Sequence, residues 1–519
     1  MRNKCDTAFI VHKMSLTLVN LFRSTRSRLL SISKASFLRQ NSTMSAPKTD
    51  LERAAAARDL LKSTFGQRVT TADDPASGPR LALTTPWSTT CHTPSAAYFQ
   101  PESSAEVSTA LAIITKTQSK FAVRATGHNP NPGFSSTHED AVIIDLHRLD
   151  HKSFDEETGI ANIGAGNTWG EVYTWLEGKG RSVMGGRYEE IGVAGFVLGG
   201  GMPAFSNLKG MGCDQVKGFE VVLGNGQVAY CSSEVRPDLY RALKGGGSNF
   251  GVVTKFELQT YPLLKTQYTV NLYKPDDYAS IIDASIEAHS KMEDDSKATY
   301  FSNFHRDFVA IGQLYADTPK EDPKVFEPFN RLEMTMPVVP KTDGTLSTLA
   351  QAIGRRAPKG KRVIFTISTK VDRDLYLAIH QIWHEVTASL PSSAEGTDLH
   401  YTIQPVTADV ARAGKGDNVL GLREVSQNWW VFTLEYPRNG DDEVHQAAMD
   451  KIYEQVKKAA EDKGLLLDFI CPTFADKRQD VLRGFGEENV KLIKEVAGKY
   501  DEQGVFQKLQ YGGFLVRDL

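Results

Sequence analysis

RATGHNPNPGFSS, residues 124–136, places a lone histidine, His128, in a loop of Gly, Pro, Asn and Ser between the apolar runs KFAV and AVIIDL. A neutral imidazole is a nucleophile, and a stiff polar loop between two expected strands would hold it in one place. Two further runs are dense in glycine: GVAGFVLGGG, Gly192 to Gly201, and KGGGSNFG, Lys244 to Gly251. Glycine lets a backbone take positive φ and come close to a ligand. Successive N–H groups in such turns converge on phosphate oxygens. Either run alone reads equally well as a tight turn with no ligand. Three such loops in one region point to a large phosphate-bearing cofactor.

The common nucleotide and nucleophile motifs do not fit. No G-x-G-x-x-G lies between a strand and a helix with an acid about twenty residues on, and no G-x-x-x-x-G-K-[ST] occurs. GGSNF has Phe250 where a nucleophile elbow needs glycine. His384-Glu385 begins like H-E-x-x-H, but Ala388 stands where the second histidine belongs. His380 and His384 share a helix face without a third ligand and read as ordinary helix residues, so no metal is expected. The five cysteines, Cys5, Cys91, Cys213, Cys231 and Cys471, are scattered and include no C-x-x-C. That argues against a disulfide scaffold or a zinc cluster and suits a reducing compartment.

The elements that must position these loops follow from pattern. The chain has 519 residues, 40% hydrophobic and 24% charged, with a formal charge of -3. That is a globular composition, long enough for about two to four domains. With a pI near 6.5 no basic field covers the molecule, so nucleic acid is not an expected partner. No run of about 18 apolar residues exists, so no membrane span is expected. Residues 1–48 carry nine Lys or Arg and one acid, Asp6, and are rich in Ser. They read as a mitochondrial presequence, or as an extension ahead of a true start at Met44; the location is then mitochondrial or cytoplasmic. DLERAAAARDLLKSTFG is a helix. AAYFQPESSAEVSTALAIITKTQSKFAVR is strand, Ser-capped helix, strand, with the helix starting near Ser104. TWGEVYTWLEGKG is a helix stopped by glycine, and VKGFEVVLGNGQVAYCS is a hairpin turned by GNG. Near residue 265 the character changes. From there to about 465, strands such as KRVIFTIST and WWVFTLEYP alternate with amphipathic helices, without long glycine runs. From LLLDFICPTFA onward come a strand, the helix EENVKLIKEVAGKY and an irregular tail.

Taken in order, YFQPESSAEVSTAL, FAVRATGHNPNPGFSS, AVIIDLHRLD, GRYEEIGVAGFVLGGGMPAFSNLKGMGCDQVKGFEVVLGNG, RPDLYRALKGGGSNFGVVTKFEL and ENVKLIKEVAGKYDEQGVF resemble segments of one family. It is the flavin-linked oxidases of the vanillyl-alcohol oxidase and p-cresol methylhydroxylase superfamily, most closely the berberine-bridge-enzyme-like branch in its fungal form. The resemblance covers most of the chain after residue 90, and the ordered combination is specific where single pieces are weak. It implies an α+β, two-domain flavoprotein: an FAD-binding domain of residues 50–264 and 465–519, with an α+β substrate domain of residues 265–464 inserted, and residues 1–49 as an extension. It implies FAD, a small-molecule substrate such as an alcohol or secondary metabolite, and O₂ as acceptor giving H₂O₂. The alternatives it leaves open are a dehydrogenase or oxidative cyclase using another acceptor, and a flavin-binding protein that does not catalyse.

The same resemblance assigns residues. Arg124, Ala125, Thr126, Gly127, His128 and Asn129 would wrap the FAD pyrophosphate, with His128 bonded to the flavin 8α-methyl carbon or, alternatively, touching the cofactor without a bond. Tyr188, Ile191, Gly192, Gly195, Gly199, Gly200, Asp214, Asn249, Gly251, Val252 and Val253 complete the cofactor set. Many relatives carry a second tether, a cysteine in G-x-C-x-x-V-G; here Tyr188 takes that place, so at most one covalent bond is expected. Ile191 matches a site that governs oxygen access, and it is β-branched like the valine of oxygen-using relatives. The family's Y-G near the C-terminus is Phe485-Gly486. In WWVFTLEYP, Glu435 is expected to be the catalytic base, with Tyr436 or another aromatic lining the pocket, although alternation puts Glu435 and Tyr436 on opposite strand faces. The plainer alternative for Glu435 is an exposed strand glutamate or an ion-pair partner.

Overall fold

The computed structural model describes residues 49–74, 85–354, 360–391 and 394–519; the basic Ser-rich segment lies outside them. Caps set the helix starts. Helix α1 (Asp50–Phe65) opens with Thr49 and Glu52 in a reciprocal capping box. Ser103 accepts the Glu106 N–H to start α2 (Ser104–Thr117). Thr168 and Glu171 cap α3 (Trp169–Glu177), which stops at Gly178.

The first sheet has the order β1-β2-β4-β3, from β1 (Val69–Thr70), β2 (Ala97–Phe99), β3 (Lys120–Arg124) and β4 (Ala141–Asp145). Strands β2 and β3 both run parallel to β4, with α2 as the crossover between them. Every residue of β4 is buried, as a parallel strand covered on both faces requires. The His128 loop leaves the C-terminal end of β3, the edge where parallel sheets expose their connections to ligands.

The second sheet is antiparallel, in the order β5-β6-β10-β8-β9. It joins β5 (Lys152–Asp155), β6 (Ile160–Gly164), β8 (Val216–Val222), β9 (Val228–Ser232) and β10 (Val252–Gln259). A two-stranded ribbon of β7 (Arg181–Ser182) and β11 (Tyr261–Pro262) lies alongside in the chain order. Two short helices carry the glycine runs toward the site: α4 (Val193–Leu198), and α5 (Pro237–Leu243), which precedes the turn into β10.

The third sheet has eight antiparallel strands: β12 (Lys265–Tyr273), β13 (Ala298–Phe304), β14 (Val309–Tyr315), β15 (Met336–Thr345), β16 (Lys361–Lys370), β17 (Asp398–Val406), β18 (Gln427–Tyr436) and β19 (Leu466–Leu467). Their order is β15-β12-β14-β13-β17-β18-β16-β19. The strand read from LLLDFICPTFA is only these two β19 residues, paired to β16; the rest of that stretch is irregular. Period-two alternation gives the sheet two unlike faces. Phe365, Tyr401, Trp430, Phe432 and Leu434 point to one face and pack with α6 (Tyr278–Met292), α7 (Arg373–Ala388) and α8 (Asp442–Asp462). The neighbouring residue Trp429 joins the other core, shared with the first two sheets and with α9 (Glu487–Tyr500).

Two buried histidines tie α6 and α7 to the sheet. Nε2 of His289 lies 3.2 Å from the Val406 carbonyl oxygen, and Nδ1 of His380 lies 2.9 Å from the Tyr401 hydroxyl. Burial lowers both imidazoles to about 4, with His384 adding to the effect on His380. An unfolded histidine titrates near about 6.5. Above that pH neither form binds extra protons. As pH falls below it toward 4, the unfolded chain takes protons that the folded chain refuses, so stability is lost. Urea unfolding midpoints should therefore drop between pH 7 and pH 4.5, and His289→Gln, which keeps an N–H for Val406, should make that drop shallower.

Candidate active site

A cavity of about 480 Å³ lies against the face of the third sheet opposite the aromatic core. Its size is in the usual range for small-molecule and cofactor sites. Strand register builds its floor in rows. Arg362, Glu435 and Asp398 lie side by side across β16, β18 and β17. The next row is Ile364, Thr433 and His400, and beyond it Val431, Thr402 and Asn303. Gln404 and Phe301 extend the floor. The opposite wall is made by residues 125–130, by parts of 187–202 and 245–253, and by Pro472–Phe474 and Gly513-Phe514.

His128 reaches the floor through a column of stacked groups. Its ring lies on Trp87, with centroids 5.0 Å apart and planes 11° apart. The Arg362 guanidinium covers the Trp87 ring at 4.4 Å and donates to Glu435 Oε2 at 3.0 Å. Arg362 is 1% exposed, so the ion pair is held out of water on the arginine side. Burial, and then the Arg362 charge, lower the His128 imidazole to about 4. At neutral pH it is an uncharged nucleophile.

At the rim, His305 Nδ1 lies 3.0 Å from Asp398 Oδ1 and His400 Nδ1 lies 3.2 Å from Oδ2, with the two rings stacked 4.4 Å apart. Burial raises Asp398, but the two imidazoles outweigh it and hold the carboxyl well below its usual range. These three are the one His/Cys/Asp/Glu group among the described residues whose ligand atoms all lie within 4.8 Å of one another. Sequence reading missed them, because His305 sits just past the end of β13 while Asp398 and His400 are on β17, and they meet only through register.

The loops are shaped to hold an anion. Gly127 has φ +73°, and a Cβ there would come within 3.2 Å of Pro86. The N–H groups of Thr126, Gly127, His128 and Asn129 donate to no acceptor among the described residues. Gly192 lies so close to Thr126 that a Cβ would approach its Oγ1 to 2.7 Å, which clamps two glycine-bearing walls together. Unpaired N–H groups on a glycine-bearing loop that lines a cavity fit a pyrophosphate.

Comparison with known proteins decides which one. Residues 94–232 match the FAD binding domain family. An FAD-dependent monooxygenase of Arthrobotrys oligospora is 34% identical over 460 residues, 88% of each chain. The chain belongs to the FAD-linked, berberine-bridge-enzyme-like oxidoreductases. Its fold is also that of the carbohydrate oxidase of Microdochium nivale, with TM-score 0.74 at 21% identity over 89% of this chain and 100% of the other. A structure of the glucooligosaccharide oxidase of Acremonium strictum, described as carrying a 6-S-cysteinyl, 8α-N1-histidyl FAD, matches with TM-score 0.72 at 16% identity over 88% and 99%.

In this flavoprotein the cavity gathers most of the residues that sequence singled out: Ala125, Thr126, Gly127, His128, Asn129, Tyr188, Ile191, Gly192, Gly195, Gly199, Gly251, Val252, Val253 and Glu435. Five lie elsewhere. Alternation turns Tyr436 to the other face of β18, where it stacks on His445 at 4.1 Å and hydrogen-bonds Asp442 at 3.0 Å, so it does not line the pocket. Arg124 is buried beneath the loop, its Nε donating to the Ser135 carbonyl at 2.8 Å; it shapes the loop from behind. Gly200 sits behind the wall, against Leu420. Asp214 accepts from the Met211 N–H at 2.8 Å and from Asn418 Nδ2 at 2.7 Å, closing a turn. Asn249 is fully buried; it donates to the Gly246 and Phe514 carbonyls and accepts from the Val516 N–H. It thus pins the C-terminal tail whose Gly513-Phe514 form part of the wall. Besides the rim trio, sequence missed Trp87, Arg187 and Arg362. Trp87 stands ahead of the glycine loop with no motif around it, and Arg362 was hidden in a strand. Arg187 stood in view, immediately before Tyr188.

Deleting the Asn249 amide would strand the buried Gly246 carbonyl, at about 1–3 kcal/mol, and release the half-buried Phe514 carbonyl and Val516 N–H. Asn249→Ala should lower the urea midpoint clearly and bring the first proteolytic cuts to residues 510–519. An unchanged midpoint would remove Asn249 from this role.

Proposed function

We propose that the protein is an FAD-dependent oxidase of a small organic substrate, an alcohol or secondary metabolite, with O₂ as electron acceptor and H₂O₂ as product. One observation carries the reading. A neutral imidazole on a phosphate-type loop and a carboxylate on a strand of the third sheet face one cavity, joined through Trp87 and Arg362. In this reading the first two sheets and the C-terminal return form the FAD-binding domain, and the third sheet with its helices forms the substrate domain.

When bound, FAD supplies a hydride acceptor at N5 of its ring. The chain's own groups do the rest. The N–H groups of residues 126–129 hold the pyrophosphate. His128, uncharged above about pH 4, holds the flavin by a bond to the 8α-methyl carbon, a linkage that the description of the glucooligosaccharide oxidase also names. Tyr188 carries no thiol, so the tether is single. Glu435 accepts the proton that leaves the substrate oxygen, with its carboxylate aimed by Arg362 at 3.0 Å. Ile191, on the cavity wall, governs the approach of O₂.

Two experiments test this reading. Acid precipitation of the pure protein should give a yellow pellet, and His128→Ala should leave the colour in the supernatant; a yellow supernatant from the wild type would refute the tether. Glu435→Gln should keep its FAD yet lose about 10²–10⁴ in turnover, as removal of a general base does. Turnover that survives at the wild-type rate excludes Glu435 as the base, and oxidation without peroxide moves the electrons to another acceptor.

A further inference from the structure

Arg187 is a cation in the cavity wall that the proposed chemistry does not use. One of its terminal nitrogens donates to Gln404 Oε1 at 2.6 Å, and its guanidinium covers the Phe301 ring at 5.6 Å. Both partners are uncharged, and both stand on the floor of the cavity. The cavity lining holds two carboxylates, Glu190 and Glu435. Glu435 is already engaged by Arg362, and neither is within 4.0 Å of Arg187. The other ionisable groups facing the cavity are the imidazoles of His128 and His400 and the phenol of Tyr188. Burial lowers the Arg187 guanidinium, and among neighbouring groups the Tyr188 phenol pulls it back up. A guanidinium has five N–H donors in a planar fork. Among the described residues one acceptor, Gln404, meets it. A half-buried cation with spare donors on a cavity wall draws a counter-charge, and a forked guanidinium favours an oxygen anion.

We propose that Arg187 is the anchor for an anionic oxygen of the substrate, a carboxylate, phenolate or enolate. This rests on the cavity being the substrate site of the proposed oxidase. The surroundings define the rest of the ligand. Phe301, Ile364 and Val431 offer an apolar bed beside the fork, and Asn303 and Thr402 offer polar atoms in the same rows. The ligand is therefore a small amphipathic acid. A neutral sugar, of the kind the carbohydrate oxidases in this fold are named for, has no anionic oxygen to give the fork. Arg187 is thus a specificity residue: it selects the substrate and orients its carbon, while Glu435 takes the proton.

Benzoate and benzamide share a shape and differ in charge at pH 7, so the pair tests the fork. They are titrated into FAD-loaded protein and followed by the shift of the flavin absorption band and by Tm. A hydrogen bond to a charged group is worth about 1.5–3 kcal/mol, which is roughly ten- to a hundredfold in Kd. Wild type should bind benzoate tighter than benzamide by about that factor. Arg187→Gln should erase the difference, and Arg187→Lys should keep part of it, with wild-type far-UV dichroism showing that both variants fold. The proposal falls if wild type binds no benzoate at millimolar concentration, if benzamide binds as tightly, or if Arg187→Gln keeps the preference. It falls too if Arg187→Gln changes FAD content or the resting flavin spectrum but leaves the preference intact, since the cation then serves the cofactor. Should the protein take up no FAD, the oxidase reading fails by itself. The same titration read by Tm and by intrinsic tryptophan fluorescence then still decides whether Arg187 selects the anion.

Discussion

The buried charge of Arg362 is the constraint on which the site depends. A guanidinium whose side chain is 1% exposed needs a counter-charge, because leaving the charge unpaired in a dry region would cost several kcal/mol. It is met from two sides. Glu435 supplies a carboxylate from the neighbouring strand, and Trp87 supplies both its carbonyl and its ring from the segment ahead of the His128 loop. The Arg362 backbone N–H, in turn, donates to Ser88 Oγ at 2.9 Å. One cation therefore fixes the distance between a loop of the first sheet and the floor of the third. His128 inherits its place from that link through the Trp87 ring.

The second organising element is the strict alternation of β16, β17 and β18. Their odd-even pattern divides side chains between an aromatic core, packed against three helices, and a polar floor. Trp429 and Trp430 are adjacent in sequence and belong to different cores. Such a sheet needs no special loop to display Glu435, His400 and Gln404 together. Pleat and register do it.

Much of this was legible in the sequence. Caps, glycine stops and the GNG hairpin located the elements of the first two sheets, because these signals are local. The glycine loops were legible as the wall of a cavity for the same reason: positive φ and close approach leave a compositional trace. Glu435 was placed correctly on a strand face, and the same alternation that put it in the cavity took Tyr436 out. What stayed hidden depends on pairing between distant strands. Asp398 meets Glu435 across β17 and β18, and His305 meets His400 only once β13 lies beside β17. No local pattern encodes a register. Asp214 and Asn249 were misread for a related reason: a polar residue beside a glycine turn satisfies backbone groups as readily as it meets a ligand.

The two-faced sheet has a consequence for how such a protein can change over evolutionary time. Positions 364, 400, 402, 404, 431 and 433 all face the cavity, while their sequence neighbours carry the aromatic core. Substitutions at the former alter what the floor recognises without disturbing the packing that keeps the sheet folded. A single-residue insertion in β18, by contrast, would exchange the two faces beyond it. The architecture thus lets ligand preference drift one side chain at a time while penalising changes of length, so relatives on this scaffold can diverge widely in substrate and still keep the spacing of their strands.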